Sequence, residues 1–373
     1  MTTVGIICEY NPFHNGHAKQ FHFIRERFGA DCRIVCLMSG NYVQRGEPAV
    51  YEKSVRAQAA ILCGADVVLE LPLTYALSSA EGFAAGGVEI LSKLGIEYLC
   101  FGCETADADI LMQTANVLLQ PQTDAAIKEA LQTGISYAAA REQALDAVFT
   151  EGVSVIQKPN DILAVEYCKA ILRQNSTMKM IPLHREGNYH AELPESENPS
   201  ATSLRALLSA NKDLSAFVPP EALAGYQNAA VYSFRAGERA VLARLKGMSE
   251  EEFSHIPYGS EGLWRRFMHA CRECSDTDAI IEQTKSKRYA RSRIQRMLLC
   301  AFLGLTADDL SRQPDYVRIL AFSEPGREVL RSFKSSELRT VSATENVRNS
   351  EYYDIETRCE RMFFLFQTDF SAQ

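Results

Sequence analysis

Short apolar runs alternate with helically spaced segments through the first half of the chain. Val4 to Cys8 is apolar and reads as a buried strand, which Asn11-Pro12 ends, because proline fixes φ and biases the residue before it away from helix. A helical pattern begins near Asn15, with His17, Phe21, Ile24 and Phe28 on one stripe. Residues 33–38 predict a second strand, and 39–52, polar and holding Gly40, Gly46 and Pro48, a long loop. Further elements follow: a helix over 53–63, a strand over 66–71 ended by Pro72, a helix over 80–94, and a strand over 96–101 that closes on Gly102-Cys103-Glu104. From 107 to 149 the spacing turns helical in three segments, reaching about 119, then 124–132 and 136–148. Pro159-Asn160-Asp161 opens a helix to about Arg173, 178–183 reads as the last strand, and Ser203 to Ser209 as a helix.

Strands alternating with helices argue for an α/β fold with a parallel, doubly wound sheet. The three helical segments of about 105–150 read as an insertion in it. Pro219-Pro220 marks a boundary region, and the remainder has few strand-like runs. The expected organisation is therefore an α/β domain over 1–215 and a helical domain over 216–373.

Composition changes this picture little. The 373 residues are 46% hydrophobic and 23% charged, ordinary for a globular protein long enough for two domains. No run of 18 apolar residues predicts a membrane span, and no basic-then-apolar leader marks a signal peptide. Eleven cysteines, most of them in apolar runs, read as reduced buried thiols of a cytoplasmic protein. The pairs Cys100–Cys103 and Cys271–Cys274 are not read as a zinc or redox site: they lie far apart, and Cys100 falls on a strand rather than at a helix start. No dedicated metal site and no protein partner are expected. The net charge of −8 gives no global attraction to nucleic acid, so any RNA contact needs a local basic patch.

Three stretches carry chemistry. The strand-to-helix corner holds His14 and His17 around Gly16. In an open α/β sheet ligands bind at such corners, and unpaired N–H groups of a helix start suit phosphate. Gly16 permits close approach of a ligand, and two imidazoles can donate to phosphate oxygens as charge builds. The loop over 40–49 offers Gln44 and Arg45, with Lys53 and Arg56 just downstream, for a triphosphate or a carboxylate; a solvated loop is the alternative. Ser200-Ala201-Thr202-Ser203-Leu204-Arg205 is either an anion site or a simple helix cap. The segment Lys285 to Arg296 holds six basic residues and no acid. Ile294, Met297, Leu298 and Ala301 share one arc, leaving Arg288, Arg291, Arg293 and Arg296 on a side that could track phosphates, with Tyr289 to stack on a base. A merely solvated charged face is the competing reading.

The run Asn11-Pro12-Phe13-His14-Asn15-Gly16-His17 resembles the HxGH signature of the nucleotidylyltransferase superfamily, which implies a Rossmann-like domain that joins ATP to a substrate with loss of pyrophosphate. With the segments Gly102-Cys103-Glu104, Pro159-Asn160-Asp161, Arg185 to His190, Ser200 to Arg205 and Lys285 to Arg296 in that order, nearly the whole chain resembles the tRNA(Met) cytidine acetate ligase family. Glu52 departs from the aspartate expected before Lys53. The resemblance implies that acetate attacks the α-phosphorus of ATP to give acetyl-adenylate. The N4 amine of the wobble cytidine of elongator tRNA(Met) then takes the acetyl group, giving N4-acetylcytidine and AMP.

The same resemblance assigns His14 and His17 to the pentavalent phosphate. It assigns ATP contacts to Ile7, Cys8, Glu9, Tyr10, Asn11, Pro12, Phe13, His14, Asn15, Gly16, His17, Ala18, Lys19, Gln20, Gly102, Asn160 and Arg185. Ser203 and Arg205 would hold the β- and γ-phosphates, and Lys285, Lys287, Arg288, Arg291, Arg293 and Arg296 the tRNA. Mg²⁺ is expected with ATP. Two other readings stay open: a nucleotidylyltransferase acting on a small coenzyme precursor, and a non-catalytic RNA-binding protein with an inherited nucleotide fold.

Overall fold

The computed structural model describes residues 1–185 and 200–368. The central sheet runs β7-β6-β1-β2-β5-β8-β9, formed by β1 (Thr3–Cys8), β2 (Arg33–Ser39), β5 (Val67–Leu71), β6 (Tyr98–Cys103), β7 (Lys179–His184), β8 (Tyr316–Phe322) and β9 (Arg339–Ser342). Two short strands between β2 and β5, β3 (Tyr42–Val43) and β4 (Glu47–Pro48), pair as a hairpin within the segment expected to be loop. All pairs of the main sheet are parallel except β5 with β8.

Period-two alternation sorts the inner strands onto two cores. On β2, Val35 and Leu37 join the core formed with helices Ala80–Lys93 and Pro159–Arg173. Ile34, Cys36 and Met38 face helices Asn15–Phe28, Lys53–Leu62 and Ala201–Ser209. Both faces are covered, so these strands read as continuous apolar runs, as parallel strands do. The helices of the 105–150 region, Ala108–Leu118, Pro121–Gln132, Tyr137–Asp146 and Thr150–Ile156, cap the first of these cores.

The chain lays down β1, β2 and β5 in one direction, then crosses to β6 and β7 on the other side of β1. Strand order therefore reverses between β1 and β6, and a crevice opens beyond the carboxyl ends there.

The region after 216 is mainly helical and has its own core. Helix Leu263–Glu273, for example, buries Leu263, Phe267, Met268, Ala270 and Cys271 on one stripe. Lys179–His184 is not the last strand, however: β8 and β9 return from the C-terminal part to extend the sheet beyond β5. The run over 316–322 carries Arg318 in its middle, which masks its strand pattern. Arg318 is buried, with Nη2 2.6 Å from Glu356 Oε2 and Nη1 donating to the carbonyls of Ser342, Ala343 and Glu345. The two parts are tied by further contacts. Tyr42 Oη donates to the Cys359 carbonyl at 2.9 Å, Leu73 N–H to Tyr352 Oη at 2.9 Å, and Tyr258 Oη to the Leu77 carbonyl at 2.6 Å. Among the described residues no helix is long and apolar enough to cross a membrane.

Candidate active site

The corner after β1 is built by its own side chains. His14 caps helix Asn15–Phe28: its Nδ1 accepts the Gly16 N–H at 3.1 Å, while His17 Nδ1 accepts the His14 N–H at 3.2 Å. The rings stack with centroids 3.8 Å apart. A Cβ on Gly16 would come within 2.9 Å of the His14 ring, so the stacked pair requires glycine there. With both Nδ1 atoms accepting, the proton of each neutral ring sits on Nε2. Burial, and then the charge of Arg185, push His14 down to about 3. Burial, His14 and Arg185 hold His17 well below its usual range. Both are thus neutral Nε2–H donors, suited to phosphate oxygens and carrying no cost of a buried cation.

The corner is held in place by distant chain. Asn15 N–H donates to the Phe217 carbonyl at 2.9 Å, Phe13 N–H to Tyr226 Oη at 3.0 Å, and the Asn11 carbonyl accepts from Arg205 Nη1 at 2.9 Å. Arg56, fully buried, donates to the carbonyls of Glu9, Tyr51, Ser39 and Gly40 and so ties together the carboxyl ends of β1 and β2.

The histidines open onto a cavity of about 310 Å³ in the crevice between β1 and β6, within the size range of ligand pockets. One wall is Gly102, Asn160 and Arg185. A Cβ on Gly102 would lie 2.5 Å from Arg185 Cδ, so it is the arginine side chain that needs the bare strand. Asn160 Nδ2 donates to Glu104 Oε1 at 2.8 Å and the Asp161 N–H to Glu104 Oε2 at 3.0 Å. Asp161 Oδ1 in return accepts the N–H groups of Glu104 and Thr105 at 2.7 and 3.0 Å. The Gly102–Glu104 and Pro159–Asp161 segments thus lock each other. A second wall is Glu9, Gln44, Arg45 and Glu47, and a third is Ala201, Thr202 and Arg205.

Several expectations change. Ser203 is a capping residue: its N–H donates to Ser200 Oγ at 3.1 Å and its Oγ to the Ser200 carbonyl at 2.8 Å, and it does not line the cavity. Thr202, one residue earlier on the helix, does. Within the Ile7–Gln20 stretch, Ile7, Cys8, Glu9, Tyr10, Asn11, His14, His17 and Gln20 line the cavity. Pro12, Phe13, Asn15, Gly16 and Ala18 instead support the corner, and Lys19 lies exposed on the helix. Lys53 and Arg56 do not reach the cavity. Lys53 Nζ lies 3.0 Å from Glu70 and 2.8 Å from Glu360, bridging to the C-terminal helix Glu351–Phe363. Residues 186–190 of the Arg185–His190 segment lie outside the described residues. Sequence reading missed the apolar side of the cavity, Phe83, Phe101, Ile162, Leu163 and Tyr167. The signal was Phe101 beside Gly102 and the apolar run just after Pro159.

The basic segment is differently placed. Only 291–296 belong to helix Arg291–Leu303; Lys285 to Ala290 form the approach to it. Arg291 pairs with Asp278 and Glu282, Arg288 with Glu261, and Lys285 with Glu282. Arg293 donates to the Tyr258 carbonyl and Ser260 and lies over the Tyr289 ring, whose Oη donates to Glu261. Arg296 is not on the exposed side: it is 7% exposed, lies over the Tyr258 ring, and donates to the Gln44 carbonyl at 3.4 Å. The helix there passes so close to the β3–β4 turn that a Cβ on Gly46 would lie 2.5 Å from Arg296 N. Among the described residues no group of three or more His, Cys, Asp or Glu side chains is placed to hold a metal ion.

The sequence matches the HIGH Nucleotidyl Transferase family over residues 1–373. It is 35% identical to the tRNA(Met) cytidine acetate ligase of Acetivibrio thermocellus, over 90% of this chain and 86% of the relative. Its fold is similar to that of Thermotoga maritima TmcAL, with a TM-score of 0.91 at 29% identity over 99% of this chain and 96% of that one. It superposes with a TM-score of 0.89 on the same protein bound with alpha-thio ATP, again at 29% identity over 99% and 96% of the two chains.

Proposed function

The chain belongs to the tRNA(Met) cytidine acetate ligase family, and we propose that it activates acetate as acetyl-adenylate and acetylates N4 of the wobble cytidine of elongator tRNA(Met). The observation that carries this reading is the pair His14 and His17, their Nδ1 atoms occupied and so their Nε2–H groups left as donors, lining a cavity at the point where strand order reverses.

The carboxylate of acetate is its own nucleophile, so the first step needs positioning and charge stabilisation rather than an activated side chain. ATP lies in the cavity with its base side toward Gly102, Asn160 and Arg185. Its α-phosphorus faces His14 and His17, whose Nε2–H groups donate as the equatorial oxygens gain charge. Arg205 and Thr202 hold the departing pyrophosphate. Mg²⁺ would come with the triphosphate and neutralise part of its charge. Residues 1–215 make the adenylate. Residues 216–373 bring the tRNA, with Lys285, Lys287, Arg288, Arg291 and Arg293 toward the phosphates.

Incubating the protein with ATP, acetate and tRNA(Met), and digesting the RNA for mass analysis, tests the reading. N4-acetylcytidine together with AMP is expected. Its absence, with transfer of AMP to a small coenzyme precursor instead, overturns the proposal.

A further inference from the structure

Acetyl transfer to a cytosine amine creates a proton that must leave N4, and the histidines cannot take it. Their Nδ1 lone pairs are occupied by the N–H groups of Gly16 and His14, and their Nε2 atoms carry hydrogen. A carboxylate on the same cavity wall is free to act in their place.

We infer that the Glu9 carboxylate is the proton acceptor of the acyl-transfer half-reaction, taking the N4 proton as cytosine attacks the acetyl carbon. This rests on the acetate-ligase reading above. The N–C bond forms, and the bond from the acetyl carbon to the phosphate oxygen breaks with its electron pair leaving on AMP. The N4 proton passes to Glu9, which releases it to solvent.

Glu9 is the first residue beyond β1 and lines the same cavity as the histidines. Its one hydrogen bond among the described residues is to Oε1, from the Gln44 N–H at 2.8 Å, so the carboxyl keeps lone pairs for a substrate proton. That bond pins it to the turn joining β3 and β4, which touches helix Arg291–Leu303 through Gly46, and whose Glu47 accepts from Gln295 Nε2 at 3.1 Å. Glu9 therefore stands on the wall nearest the basic segment, where an RNA base would enter. Burial raises its pKa above 4.5, against the Gln44 N–H and the charges of Arg205, Arg45 and Arg56; Tyr167 also faces it. A carboxyl so raised is a stronger base than a solvated one, and general bases of this kind contribute about 10²–10⁴-fold.

The test supplies ready-made acetyl-adenylate and tRNA(Met) to the full chain and follows a single turnover between pH 4.5 and 8. The wild-type rate should rise about tenfold per pH unit and level off above one pKa. Glu9→Gln should slow transfer about 10²–10⁴-fold and flatten the profile, a larger loss than it causes in acetate-dependent ATP–pyrophosphate exchange. Glu9→Asp, which keeps a carboxylate, should retain the rise with a displaced plateau. Equal losses in both half-reactions, a wild-type rate independent of pH, or flattening by Glu47→Gln instead would each overturn the assignment. Absence of exchange in the wild type would instead sink the acetate-ligase reading itself, so the two failures are distinguishable.

Discussion

At the corner after β1, Arg185 and Arg205 bond to neutral acceptors, the Asn160 side chain, the Asn11 carbonyl and Thr202. Along 288–296 the arginines are set against carboxylates or carbonyls: Arg288 against Glu261, Arg291 against Asp278 and Glu282, Arg293 and Arg296 against the Tyr258 and Gln44 carbonyls. In the sequence the second stretch looks far more basic than the first. In the folded chain the guanidinium groups of the first bond to neutral atoms at a crevice, while Glu261, Asp278 and Glu282 pair with those of the second. A run of like charge in sequence is thus no measure of local potential, which depends on what the fold sets beside it.

The sharpest way to break the comparison is at the corner. His17→Ala removes one phosphate donor and also releases the His14 N–H that its Nδ1 accepts. Acetate-dependent ATP–pyrophosphate exchange should fall by roughly 10²–10³-fold. A loss below tenfold would mean that the imidazole only caps the helix.

The corner also leaves a mark on stability. An unfolded histidine titrates near 6.5, whereas His14 is pushed down to about 3 and His17 is lowered too, chiefly by burial. Below 6.5 the unfolded chain takes up protons that the folded chain refuses, so stability present at pH 7 is lost as pH falls toward 3. The slope is about 1.4 kcal/mol per pH unit for each histidine. Glu9 and Glu70, raised by burial, act in the opposite sense above 4.5, so the imidazole share is the part of the difference that a histidine substitution removes. Urea unfolding at pH 7 and at pH 5 reads the difference, and His14→Gln should shrink it. A difference between pH 7 and pH 5 left unchanged by His14→Gln would place that ring in solvent.

The contrast also explains what could be read beforehand. The corner is legible because its parts are neighbours in sequence: His14, Gly16 and His17 bond to one another within three residues, and Phe217, Tyr226 and Arg205 only fix in place what the sequence already marks. The long parallel strands are legible for the same reason. What the sequence reading missed depends on partners far along the chain. Arg318 disguised a strand because Glu356 lies 38 residues away. Phe83, Phe101 and Tyr167 converge on the cavity only after β6 and two helices have packed.

The smallest effect tests the other side of the comparison. If Arg291 serves RNA, Asp278 and Glu282 restrain it, and Asp278→Asn with Glu282→Gln should free its guanidinium. These pairs are exposed, and such pairs are worth about 0.2–1 kcal/mol each, so unfolding stability should drop little. The tRNA(Met) dissociation constant at low salt should fall a few-fold, and the slope of log affinity against log salt should steepen by less than about one unit. Filter binding over a salt series reads both. Unchanged RNA affinity with a clear loss of stability would show that Arg291 is a clasp between helices Thr277–Thr284 and Arg291–Leu303, and would move the RNA surface to other cations of the segment, Lys287 first.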